Sequence, residues 1–395
     1  MACLDFGRPA ASLPDYGFPT DVVGDTPAGS ISPYIGVMSN RFFVDYLPTS
    51  LSRCLGAGLA IAVVASAGGS FSDSAFAQAK KGAAPPPKQE LLLVSYAVTK
   101  SAYDKIIPQF QDEWKKKTGQ EVVIKASYGG SGSQTRAVID GLSADLVGLA
   151  LAGDVLKVQE AGLIQPGWEK ELPNNSMITN SVIAFFVRPG NPKKVKNWAD
   201  LDNKDVDVVT ANPKTSGGAR WNFLGLYGSV TQTGGSDAQA RKFLTSVYKN
   251  VDVLPKDARE ATDTYVKRKK GDVLLNYENE AILARRTGEW TVPYKLPSPN
   301  ILIEGPIAVV DKNVDKRGTR KVATAFARYL FSPTAQKVFA DNGFRPVTAE
   351  GKAYARGKFQ QIDTYTVNSF DGWTSVNKKF FGKGGVWDQI FSKTR

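Results

Sequence analysis

Two stretches of the chain carry residue types suited to gripping a small charged guest. NPKTSGGARWN (212–222) places Ser216, Gly217 and Gly218 after the apolar run DVDVVTA (205–211). SYGGSGSQTRAVIDG (127–141) places Gly129, Gly130, Ser131, Gly132 and Ser133 after EVVIKAS (121–127). In each, a strand-like run breaks into small residues and resumes with helical spacing. A helix start exposes N–H groups that lack an intrahelical acceptor and carries a partial positive charge, so it suits an anion. Glycine at such a start leaves the main chain bare for close approach. No Gly-Lys-Ser/Thr follows either stretch and neither has dinucleotide-loop spacing, so phosphate-cradling nucleotide motifs are excluded.

Three further turns repeat the theme: SYAVTKSAY (95–103), PKDAREATDTYV (255–266) and YENEAILARR (277–286). One such turn is ordinary chain punctuation. Several that open helices at the carboxyl ends of strands define a common cleft, because ligands of open α/β sheets lie there.

The rest of the composition removes most catalytic chemistry. The 395 residues contain no histidine and two cysteines, Cys3 and Cys54, both near the N-terminus. A chain processed beyond them has no thiolate nucleophile, no imidazole base, no disulfide and no His/Cys metal site. Glu278 and Glu280 are two apart, which does not place them on one helix face, so they are not read as a catalytic pair. Asp257 and Glu278 are expected to cap helix starts, where a carboxylate is favoured. Lys214, Arg220 and Arg259 are expected to brace loops or pair with acids, not to touch the guest. The clusters KKVKNW (193–198) and VKRKK (266–270) are not interleaved with stacking aromatics and are read as solvated faces, with no nucleic-acid partner. No cofactor and no metal are expected.

The elements that must position these turns are legible as alternating strands and helices. ELLLVSYA (90–97) reads as a strand, followed by a helix with Tyr103, Ile106, Ile107, Phe110 and Trp114 on one face, kinked at Pro108 and stopped by Gly119. SVIAFFV (181–187), DVDVVTA, VDVLP (251–255), GDVLLNY (271–277) and GPIAVVD (305–311) read as further strands, and Thr319 to Phe331 as a helix. Repeated strand–helix units predict an α/β fold with mostly parallel sheets in two lobes.

The first 79 residues differ from the remainder. An uncharged run, 54–72, follows Arg41 and Arg53 and leads into SDSAFAQA, the layout of a secretory signal cleaved near Ala77 or Ala79. Its strongly apolar part is too short and too rich in Gly and Ala for a membrane span. Residues 1–37 hold four Asp and one Arg, unlike an organelle transit peptide, and Met38 opens a better signal than Met1. Cleavage removes three basic and six acidic residues and raises the formal charge from +12 to +15. KKGAAPPPKQE (80–90) reads as a flexible linker.

From Gln89 onward the chain resembles the sulfate-binding proteins that feed bacterial ABC importers. NPKTSGGARWN and SYGGSGSQTRAVIDGLSADLVGLALAGDV (127–155) carry the likeness most strongly. NVDVLPKDARE (250–260), GDVLLNYENEA (271–281) and SPTAQKVFADNGFRPV (332–347) support it. The resemblance implies a type II periplasmic binding protein: two α/β lobes joined by crossover strands and closing over one anion. It implies lobes formed by 90–175 with 300–347 and by 176–299, with 348–395 packing back on them. It implies a monomer in the periplasm that delivers sulfate to membrane permease subunits, and no enzyme.

The resemblance also assigns the donors: the N–H groups of Ala97, Ser131, Gly217, Gly218 and Ala258, and the Ser216 hydroxyl. Tyr277 stands where the family usually has a donating Trp, and Tyr128 where it usually has His. A donor-only pocket favours sulfate over phosphate, which keeps a proton near neutral pH and needs an acceptor. Alternatives are another tetrahedral oxyanion (thiosulfate, molybdate or phosphate), or an enzyme on the same scaffold. A tetrapyrrole-assembling deaminase of that kind needs a cysteine that the mature chain lacks.

Overall fold

The computed structural model describes residues 86–394 apart from 289, 290 and 292. The expected signal region lies outside the described residues. Strands β1 (Gln89–Tyr96), β2 (Val122–Gly129) and β3 (Leu146–Gly148) enter first. They are followed by β4 (Met177–Ser181), β5 (Ile183–Val187), β6 (Val208–Val209), β7 (Val273–Tyr277) and β8 (Tyr294–Lys295). The last are β9 (Asn300–Ile301), β10 (Ile303–Pro306), β11 (Ala308–Val309) and β12 (Thr364–Tyr365).

Two sheets carry the two lobes, in the orders β11-β3-β1-β2 and β6-β7-β5-β8. In the first, β1 lies parallel to β2 and β3, the arrangement predicted from alternating strands and helices. The second departs from that prediction, because β5 runs antiparallel to both β7 and β8. The reason is its origin. A single residue, Val182, separates β5 from β4, which pairs antiparallel with β10 to form a crossover between lobes. Ile183, first in β5, therefore lies opposite Tyr277, last in β7. A strand arriving from the crossover starts at the cleft, where its neighbours end.

VDVLP is a second departure. Residues 251–255 form no strand. The segment is tied to its neighbour at its two ends, by Val208 N–H to Asn250 O and Asn212 N–H to Pro255 O, both 2.8 Å. Asp252 and Val253 between them are exposed. Pro255 offers no N–H to extend a ladder.

Seven helices position the cleft. α1 (Lys100–Thr118) buries Ala102, Tyr103, Ile106, Ile107 and Phe110 along one face, and Trp114 packs on Phe110 at 5.8 Å between ring centroids. Pro108 sits on its exposed side, and Gly119 ends it at φ 70°. The others are α2 (Ser131–Ile139), α3 (Ala152–Glu160), α4 (Gly217–Thr231), α5 (Asp237–Lys249), α6 (Ala258–Val266) and α7 (Glu278–Thr287). The helix over Arg320–Tyr329 lies within the predicted Thr319–Phe331.

α4 is buried on nearly every side, from Gly217 to Ser229. The chain beyond residue 366 covers it: Phe223 of α4 packs edge-on against Phe380, Phe381 and Trp387. Trp221 meets Trp373 at 4.8 Å, and Asn377 donates to Gly153 O of α3 at 2.9 Å. The C-terminal segment thus touches helices of both lobes.

Candidate functional site

Five chain turns that open helices meet at one place. Ala97 starts a short 3-10 turn after β1, and Ser131, Gly217 and Ala258 are the first residues of α2, α4 and α6. Tyr277 caps α7. These residues line one cavity together with Ser216, Gly218, Tyr96, Val98, Gly129, Gly130, Ala150 and Asp257. All seven residues expected to hold the guest are therefore brought together. Its free volume is about 10 Å³, room for a single small species and far below the space that organic ligands need.

The cavity is lined by donors. The N–H groups of Ala97, Ser131, Gly217, Gly218 and Ala258 have no acceptor among the described residues. Ser216 caps α4: its Oγ accepts from Ala219 N–H at 3.3 Å, which leaves the hydroxyl proton to point elsewhere. Tyr277 Oη is buried and has no partner among the described residues. Burial, with Tyr96, Asp154 and Glu280 nearby, pushes its ionisation well above the ordinary phenol range, so it stays a neutral donor. Its ring leans on Tyr96 at 6.0 Å, a cavity residue that the sequence reading missed.

The glycines do more than expose N–H groups. A Cβ on Gly217 would lie 2.5 Å from Ala150 Cβ and 3.0 Å from Ser131 Cβ, both on the opposite lobe. One on Gly218 would lie 2.8 Å from the Tyr277 ring, and one on Gly130 would lie 2.5 Å from Thr215 O. Bare main chain is thus needed where the lobes meet as well as along the cavity wall. Across that seam Gly132 N–H donates to Thr215 O (2.9 Å), and Trp221 Nε1 donates to Ala150 O (2.8 Å). The lobes are closed.

Formal charges stay outside the cavity wall, apart from Asp257. Asp257 caps α6, as expected, with Oδ1 accepting from Glu260 N–H at 2.9 Å. Glu278 corrects the expectation of a cap. It is buried in the first turn of α7 and held by Arg345, through Nε at 2.7 Å and Nη2 at 3.0 Å. Lys214 pairs with Asp388 at 2.5 Å and Arg259 with Glu280 at 3.0 Å. Arg220 of α4 pairs with Asp154 of α3 across the seam, and both are buried. Asp154 also accepts from Ser131 Oγ at 2.7 Å and lies 3.2 Å from Lys157. Burial works to raise the Asp154 pKa, but Arg220, Lys157 and these hydrogen bonds outweigh it and hold the carboxyl below its usual range. Nothing in the sequence joins two residues 66 positions apart, so this pair was beyond a reading of local motifs.

A closed cleft between two α/β lobes, lined by helix starts, is the construction of a solute-binding protein. Residues 91–345 match the family described as bacterial extracellular solute-binding protein, and the chain belongs to that family. It is 56% identical over 305 residues to the sulfate-binding protein of Synechocystis sp., covering 77% of this chain and 86% of that relative. It is 58% identical over 303 residues to the sulfate-binding protein of Synechococcus elongatus, covering 76% and 86%. Among solved structures, the sulfate-binding protein SubI from Mycobacterium tuberculosis H37Rv superposes with a TM-score of 0.66 at 33% identity. That match covers 73% of this chain and 98% of SubI.

Proposed function

We propose that the protein is an exported receptor that captures sulfate between its lobes and delivers it to the permease of an ABC importer. The observation that carries the reading is the set of partnerless N–H groups and the orphaned Tyr277 hydroxyl converging on one small cavity whose wall contains no Lys or Arg. The cavity binds and does no chemistry: no nucleophile–base pair is assembled in it. The names of the Synechocystis and Synechococcus relatives and of SubI support sulfate as the guest.

The energetics suffice. Hydrogen bonds to a charged group contribute about 1.5–3 kcal/mol each, so six or seven supply roughly 10–20 kcal/mol before ordering and lobe closure. A micromolar complex needs about 8 kcal/mol. Sulfate carries no proton near neutral pH and requires donors alone. The Asp257 carboxylate is the acceptor a protonated phosphate would need, and it is engaged with its own helix.

Calorimetric titration with sulfate, thiosulfate and phosphate between pH 5 and 8 tests the assignment. Sulfate affinity is expected to be nearly flat over that window, because burial keeps the Tyr96 and Tyr277 phenols protonated throughout. Tighter binding of phosphate than of sulfate refutes the choice of guest.

Tyr277→Phe isolates one donor. Removing a buried, partnerless hydroxyl is expected to leave the ligand-free protein as stable as before or slightly more so, while weakening sulfate binding by about 1–3 kcal/mol. Unchanged affinity means that Tyr277 does not replace the indole donor.

The same reading places the mature protein in the periplasm as a monomer after cleavage near Ala77 or Ala79, which N-terminal sequencing of the exported protein checks. It also divides the chain into lobes of 90–175 with 300–347 and of 176–299, joined by the crossover strands, with 348–395 packed back across them.

A further inference from the structure

We infer that the back of the crossover strands holds a second ligand site, for a small organic acid that also carries a hydrogen-bond donor, such as an amino acid. A cavity with about 440 Å³ of free volume opens there, within the range of small-molecule sites. Successive strand residues face opposite ways. Thr179 Oγ1 and the hydroxyl of Tyr96, on the wall of the sulfate cavity, both lie beside Gly305, whereas Asn180 lines the rear cavity. The two sites therefore share the crossover strand and lie on opposite faces of it.

The lining specifies the ligand class. Lys352 and Arg356 supply positive charge. Arg345 is already engaged, with Nε and Nη2 on Glu278 and Nη2 also donating to Gln360 O, whereas Lys352 and Arg356 make no ion pair among the described residues. Asn180 Oδ1 has no partner among the described residues and is shut off from solvent, so a ligand's ammonium or hydroxyl donor satisfies it by turning the side chain into the cavity. Leu302 and Phe359 provide an apolar surface for a side chain. A carboxylate on the cations, a donor on Asn180 and an aliphatic body between them satisfy all three features.

The position couples this site to the first. Asn180 and Leu302 come from the two crossing segments, and residues 361–364 lead into β12, which pairs with β9. For lobes hinged at the crossover, closing over the front cavity would spread the rear face of the same strands and opening would compress it. A guest in the rear cavity therefore favours the closed form, and linkage requires it to tighten sulfate binding.

The probe is L-leucine, with isocaproate lacking the ammonium and isoamylamine lacking the carboxylate. Calorimetry in sulfate-free buffer is expected to show L-leucine binding at millimolar concentration and weaker binding of both truncated probes. With L-leucine present, sulfate affinity is expected to rise at least about fivefold. The charge reversals Lys352→Glu and Arg356→Glu are expected to abolish L-leucine binding and the linkage together, with sulfate affinity alone unchanged. Absence of L-leucine binding, competition between L-leucine and sulfate, or L-leucine binding indifferent to both reversals overturns the inference. The sulfate-free titration stands apart from the sulfate assignment, so failure of either is told from failure of the other.

Discussion

Gly217→Ala is expected to reduce sulfate affinity by at least about two orders of magnitude. The added methyl would sit 2.5 Å from Ala150 Cβ and 3.0 Å from Ser131 Cβ, so the closed seam has no room for it. Overpacking of this kind costs roughly 1–3 kcal/mol. The lobes can relieve it by parting slightly, which withdraws the N–H groups of Gly217 and Gly218 at about 1.5–3 kcal/mol each. In an open protein the methyl meets no opposing lobe. The thermal midpoint of the ligand-free variant should therefore match that of the wild type, while the stabilisation normally gained on adding sulfate is lost. Ala150→Gly in the same chain removes the nearest contact and should restore part of the affinity. A Gly217→Ala protein that binds sulfate as tightly as wild type refutes this account of the seam.

The second large effect is expected at Arg220→Met. Arg220 is 5% exposed, and its loss leaves the fully buried Asp154 with Lys157 and Ser131 alone. Breaking a buried pair by removing one partner costs about 3–5 kcal/mol. An open form hydrates Asp154, so much of that cost opposes closure. The unshielded carboxylate also stands behind Ser131, beside a doubly negative guest. Both effects weaken binding, by roughly two orders of magnitude near pH 7.

The pH dependence gives the sign. In the wild type the Asp154 pKa is depressed, so its contribution to stability is present above the unfolded value of about 4. It is lost only as pH falls through the lower folded value, leaving pH 5–8 flat. Without Arg220 the burial effect gains the upper hand and the pKa rises. Acidification then neutralises Asp154, and sulfate affinity should climb from pH 8 toward pH 5 in the variant alone. Titrations of both proteins across that range decide the matter. A variant as tight and as flat as wild type makes the pair irrelevant to closure.

These two positions show where motif reading stops. The glycines at 217 and 218 were legible as close-approach residues, because small residues between a strand and a helix expose main-chain donors whatever the tertiary context. What they approach was half legible: the cavity followed from the motif, but Ala150 across the seam did not. Glu278 was legible as a residue of a helix start, yet Arg345 holds it, brought from 67 positions away.

The donor chemistry of the site was therefore written in the sequence, since a helix start and its partnerless N–H groups arise within a few consecutive residues. So were the class of fold, the placement of α1, α2, α4, α6 and α7, and the lack of histidine and of cysteine beyond Cys54. Tertiary structure alone decided the antiparallel course of β5, the failure of 251–255 to become a strand, the Asp154–Arg220 pair, and the orphaned hydroxyl of Tyr277. Each of these depends on which distant segment lies alongside, and contacts between distant segments are set by the packing of whole lobes, not by the spacing of neighbours along the chain.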